Sequence, residues 1–231
     1  MEDLSKVRAR LVRLAFIGRP IPEISMAHVK RKAIAVFGVV VASSALMAPP
    51  VSADPPPSGV TFTVAGVNGQ GCDLQSLTVP ESASEFTVRY GTYQAWGGGG
   101  STSADWVKKC QVVLQAHIPP GFTYAVAGVN YRGYAEQAAG ARGLLRAWHS
   151  IEGMTPSEPL NHLETGPNVK HWSVDTVVSE PNLVFKPCGE DRLLYLDSEL
   201  RVDAGQPTFM AMGTTADPAA SNTVHLAWKS C

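Results

Sequence analysis

The sequence predicts an all-β fold, an antiparallel β-sandwich or jelly roll with long loops, at most one short helix and two disulfides. Three observations carry that expectation. Apolar and polar residues alternate in a series of short runs, turn-forming residues stand between the runs, and all four cysteines follow a single apolar segment near the N-terminus. Alternation of period two is what a strand with one buried face requires.

The N-terminal segment decides which residues belong to the fold. Lys30-Arg31-Lys32 precedes an uncharged run from Ala33 to Leu46, which Pro49-Pro50-Val51-Ser52-Ala53 closes. A basic stretch, an apolar run and a small-residue site describe a signal peptide cleaved near Ala53. A spanning helix needs about 20 apolar residues, so no membrane span is expected after processing. Met1 to Ser25 carries five basic and three acidic side chains together with Pro20 and Pro22. It reads as a mis-assigned extension, 1–25, with Met26 as the true start, 26–53 as the signal peptide and 54–231 as one secreted β-rich domain. The n-region has no adjacent arginine pair, which favours general secretion over twin-arginine export.

From Asp54 onward there are 11 Lys and Arg against 17 Asp and Glu, a net charge of −6, whereas the whole chain carries −1. An acidic domain without a basic stripe excludes nucleic acid as an expected partner.

The strands follow in order. DPPPSG, Asp54 to Gly59, is an extended entry, and VTFTVAG alternates from Val60. EFTVRY places Phe86, Val88 and Tyr90 on one face. CQVVLQAHI turns Cys110, Val112, Leu114, Ala116 and Ile118 inward, LLYLDSELRV does so with Leu194, Leu196, Leu200 and Val202, and TVHLAWK with Val224, Leu226 and Trp228. Asn68-Gly69 suits a tight hairpin, Pro119-Pro120-Gly121 separates two strand runs, and Gly97 to Gly100 forms a loop. Ala135 to His149 holds good helix formers cut by Gly140 and Gly143, and is the one place where a short helix is expected.

Cys72, Cys110, Cys188 and Cys231 fit an oxidising compartment. Three pairings are possible. Cys72 with Cys110 and Cys188 with Cys231 joins sequence neighbours without crossing loops. Zinc sites commonly space cysteines two to four apart, which these are not.

No nucleophile elbow, metalloprotease helix, Walker loop or dinucleotide fingerprint occurs, and no cofactor is expected. Asp197 and Glu199 share one face of a strand about 7 Å apart, an admissible spacing for a glycosidase pair; a solvated polar face is the alternative. His149, His162 and His171 form the conceivable metal subset, but they lack ligand spacing, so no metal is expected. The ligand-binding candidates are Tyr93 and Trp96, which flank the Gly97 loop, and Tyr131, Arg132 and Tyr134, which follow a strand, read as exposed rings and a cation on loops.

The segments VNGQGC (Val67 to Cys72), KKCQ (Lys108 to Gln111), HIPPGF (His117 to Phe122), NYRGYA (Asn130 to Ala135), PCGE (Pro187 to Glu190), SELRV (Ser198 to Val202) and LAWKSC (Leu226 to Cys231) together resemble DUF4360, an uncharacterised secreted family. The resemblance spans nearly all of the chain after Ala53 and includes the four cysteines in order. It implies a small extracellular β-rich protein, and strand rather than helix around Leu144 to Ser150. Gly213-Thr214 stands where the family pattern has an Asp-Ser pair, and Trp148 to Gly153 lacks its tyrosine pair. The resemblance transfers no activity.

Two functions remain as expectations. One is a secreted non-catalytic module that binds extracellular polysaccharide, an envelope component or a protein partner. The other is a glycosidase-like hydrolase using Asp197 and Glu199.

Overall fold

A computed structural model describes residues 54–213 and 220–231. The signal peptide and the N-terminal extension expected from the sequence lie outside the described residues, as does Thr214.

The strands are β1 (Thr61–Asn68), β2 (Asp73–Thr78), β3 (Glu85–Gly97), β4 (Val107–His117), β5 (Phe122–Gln137), β6 (Arg142–Ile151), β7 (Leu160–Thr165), β8 (Asn168–Val177), β9 (Leu193–Val202), β10 (Thr208–Gly213) and β11 (Ser221–Ser230). They form two antiparallel sheets. The five-stranded one runs β1-β4-β9-β6-β7. In the six-stranded one, β10 and β11 both lie between β3 and β5, end to end. Thr208 to Ala211 pair with Gln137 to Tyr134, and Ser221 to Ser230 continue along Arg132 to Phe122. The central row is thus one line of backbone, left after Gly213 and rejoined at Ser221. β2 flanks β3 and β8 flanks β5.

The inner faces carry the core. Phe86, Phe62, Tyr124 and Trp228, in that order, make a chain of ring contacts at 4.7, 5.8 and 5.9 Å. The Trp228 Nε1 donates to the Ala83 carbonyl at 2.9 Å, so its polar edge is satisfied inside the core. The inward sets expected on β4, β9 and β11 are buried there, except Ile118, which lies just beyond β4 and is half-buried.

Both disulfides form as Cys72–Cys110 and Cys188–Cys231. The first ties the connection between β1 and β2 to β4. The second ties the last residue to the segment before β9.

Two local expectations are corrected. Residues 135–149 contain no helix: Gly140 takes φ +78° in the turn, and β6 begins at Arg142. Leu145, Ala147 and Ile151 alternate inward there, and packing overrides the helix propensity. The short helix α1 occupies Ser103–Trp106 instead, with a Thr102–Asp105 capping box. Asn68-Gly69 is no hairpin, because β1 pairs with β4 and β2 with β3; the turn carries the chain from one sheet to the other.

Gly133 on β5 is where the central row packs tightest. A Cβ there would lie 2.2 Å from the Ala211 carbonyl oxygen and 2.3 Å from Cζ2 of Trp172. Gly133→Ala should destabilise the domain by about 1–3 kcal/mol through overpacking. Denaturant midpoints of the two proteins check this.

Candidate functional site

Which face a side chain takes depends on two bulges. On β3, Phe86, Val88 and Tyr90 point inward, and the register then shifts between Asp73 and Leu74 of the partner strand, leaving Gly91 unpaired. One extra residue reverses the parity. Tyr93 therefore points inward as well, fully buried, and Trp96 points outward. A second irregularity, between His225 and Leu226, sets Ala127 apart on β5. Beyond it Tyr131 points inward, whereas Arg132 and Tyr134 point outward.

The five ligand-binding candidates consequently separate. Tyr93 and Tyr131 are not exposed loop rings: both belong to the inner layer. The Tyr93 hydroxyl meets the Ser198 hydroxyl at 3.1 Å across the two sheets. Burial pushes the ionisation of both phenols well above the usual range. Trp96, Arg132 and Tyr134 share the outer face of the six-stranded sheet and lie on strands rather than loops.

Sequence reasoning missed Phe209 on that face. It stands directly beside Trp96 across β10 and β3, and its ring centre lies 6.1 Å from that of Tyr134. Tyr134 in turn meets His171 of β8 edge-on at 5.4 Å. Trp96, Phe209, Tyr134 and His171 thus form a ring path across four neighbouring strands. The FMAMG run of β10 contains the signal, a lone aromatic whose neighbours Met210 and Met212 are both fully buried.

Grooves adjoin the rings on both sides. One, of about 530 Å³, is bounded by Trp96, Phe209, Glu136, Val169 and Pro207. The other, of about 770 Å³, is polar, with Thr87, Arg89, Asn130, Arg132, Asp175 and Thr223 in its walls. Its side chains are held by one another: Arg132 Nε donates to Asn130 Oδ1 at 2.9 Å, and Asn130 Nδ2 donates to Ser173 Oγ at 3.2 Å and to Asp175. Thr87 and Thr223 hydroxyls meet at 3.1 Å. Fixed hydroxyl, amide, guanidinium and carboxylate groups beside rings can hydrogen-bond a polyhydroxylated ligand while its apolar faces stack.

Asp197 and Glu199 lie on the opposite outer face, in the centre of the five-stranded sheet. Gln111 Nε2 donates to Asp197 at 2.9 Å. Desolvation raises the Asp197 carboxyl above its ordinary value, and this hydrogen bond opposes the shift. Glu199 is engaged by Arg201 at 2.7 Å and by Lys109 at 3.6 Å. The pair therefore sits in a cross-strand network of amides and cations.

The three histidines weighed as metal ligands do not converge. His162 bonds Glu164 at 2.9 Å, His171 belongs to the ring path, and His149 points between the sheets.

The family model described as a domain of unknown function (DUF4360) matches residues 58–231. An "Uncharacterized secreted protein" of Arthroderma benhamiae is 25% identical over 181 residues, covering 77% of this chain and 74% of that protein. Among solved structures, TmCBM27, a carbohydrate-binding module titled for mannan recognition, aligns at TM-score 0.30 with 11% identity, over 72% of this chain and 88% of its own. TmCBM61, solved with β-1,4-galactotriose, aligns at TM-score 0.26 with 10% identity, over 74% and 88%. Scores this low transfer neither ligand nor site. No helix among the described residues is long and apolar enough to cross a membrane. The match over nearly the whole described domain settles the relationship: the chain belongs to the DUF4360 family.

Proposed function

We propose that the domain is a secreted, non-catalytic module that binds extracellular polysaccharide on the outer face of the six-stranded sheet. The single observation behind this reading is the ring path Trp96–Phe209–Tyr134, set on rigid strands and continued by the polar groove around Arg132 and Asn130. From Glu136 to Gly128, β5 extends the face by about 27 Å at strand rise, long enough for several sugar rings. An acidic domain favours uncharged polymers over polyanions.

The test is retention on insoluble cell-wall polysaccharide, with soluble sugar followed in parallel. The wild type should leave the supernatant without releasing sugar. Trp96→Ala should weaken retention about 10- to 30-fold, as removal of a central aromatic anchor does. Glu199→Gln on the other face should leave retention unchanged. Sugar release lost in Glu199→Gln would replace this reading with the hydrolase.

A further inference from the structure

A cavity of about 740 Å³ opens at the edge of the sandwich, where β6 faces β5 and β8. Its volume lies within the range of small-molecule sites, roughly 300–1,000 Å³. Val126, Ile151, Leu160, Val177 and Val184 supply apolar walls, and Trp148 stands among the lining residues.

Among its polar lining groups, two ring side chains come from opposing sheets. His149 projects from β6 and Tyr131 from β5, and neither imidazole nor hydroxyl has a hydrogen-bond partner among the described residues. His149 is anchored only through its backbone: its N–H donates to Ser157 Oγ at 3.0 Å, and its carbonyl accepts from the Ser157 N–H at 2.8 Å. Neither group is among the fully enclosed unpaired atoms, so each can be satisfied from the cavity, by water or by a ligand. The buried hydroxyls of Tyr93 and Tyr90 are paired within the protein, whereas that of Tyr124 is not.

The lining also defines the ligand. Glu158 is its only carboxylate, and no Lys or Arg is present, so an anion would find no counter-charge. Burial keeps the His149 imidazole neutral down to a pKa of about 4, so its bare ring nitrogen can accept a hydrogen bond from a hydroxyl donor. The Tyr131 hydroxyl can donate to that same ligand oxygen. Two facing sheets about 10 Å apart leave a slot that favours a flat body.

We propose that this cavity binds an uncharged, flat, hydroxylated aromatic molecule, held by apolar walls, by a hydrogen bond that His149 accepts and by one that Tyr131 donates. The cavity shares Thr176 and Val177 with the polar groove of the outer face but is otherwise lined by different residues, and its assignment does not rest on polysaccharide binding.

The probe is 2-naphthol, titrated into the disulfide-bonded domain by calorimetry, with naphthalene and 2-naphthalenesulfonate as comparisons. Saturable one-site binding of 2-naphthol is expected, with naphthalene about three- to tenfold weaker for want of its hydroxyl. The sulfonate should show no saturation. His149→Phe and Tyr131→Phe should each weaken 2-naphthol by about three- to tenfold while leaving naphthalene unchanged. Far-UV circular dichroism and denaturant midpoints establish that both variants fold. Absence of saturation by 2-naphthol in the wild type, equal binding of the sulfonate, or affinities that neither folded variant alters would each overturn the assignment.

Discussion

Replacing Cys188 and Cys231 together by serine should lower the stability of the domain by about 4 kcal/mol, the chain-entropy value for a loop of this length. The bridge joins residues 43 apart in sequence and fixes two neighbouring features. One is the end of β11, where the Cys231 N–H donates to the Gly121 carbonyl at 2.9 Å. The other is the turn before β9, where Lys186 Nζ donates to the carbonyls of Pro187 at 3.0 Å and Glu190 at 2.6 Å. Without the covalent tie, the unfolded chain regains the entropy of an open loop, while the folded contacts change little. Denaturant titration of the wild type and the double serine variant measures the difference. Superimposable curves would mean that packing alone holds the C-terminus.

The second large effect is on pH dependence. Burial lowers the His149 pKa from its usual 6.5 to about 4, with desolvation as the cause. Above pH 6.5 the imidazole is neutral in both folded and unfolded chains, and its burial carries no protonation penalty. Between pH 6.5 and 4 the unfolded chain takes up a proton that the folded one refuses, so stability falls with pH across that window. Below pH 4 both forms are protonated and the loss stops growing. At about 1.4 kcal/mol per pH unit, the loss reaches roughly 3–4 kcal/mol. His149→Gln should remove this component, so the stability difference between wild type and variant should change between pH 7.5 and 4.5. Parallel pH profiles would show that the imidazole is hydrated in the folded state.

Much of the sandwich was legible because its central strands bury one face. β4, β9 and β11 are flanked on both sides, and their alternation is nearly unbroken. The edges were harder. NVKHWSVDTV of β8 exposes Val169 at 68% and Val177 at 87%, so polarity does not mark its buried side. The single line made by β10 and β11 was also hidden, since two segments separated in sequence complete it. For the candidate site, composition singled out Trp96, Arg132 and Tyr134, but it could not separate them from Tyr93 and Tyr131. That separation follows from the unpaired residues Gly91 and Ala127, which reverse strand parity and leave no mark in residue type. Phe209 escaped because its strand is short and otherwise apolar.

The most direct test of the polysaccharide-binding reading is an amide and indole chemical-shift titration of the labelled domain with soluble oligosaccharides cut from whichever wall polymer retains it. The account predicts saturable shifts at the Trp96 indole and at the amides of Gln94, Arg132, Tyr134 and Phe209, with Asp197, Glu199 and Trp148 unmoved. Shifts centred on the five-stranded sheet, or none with an oligosaccharide that competes for retention, would contradict it.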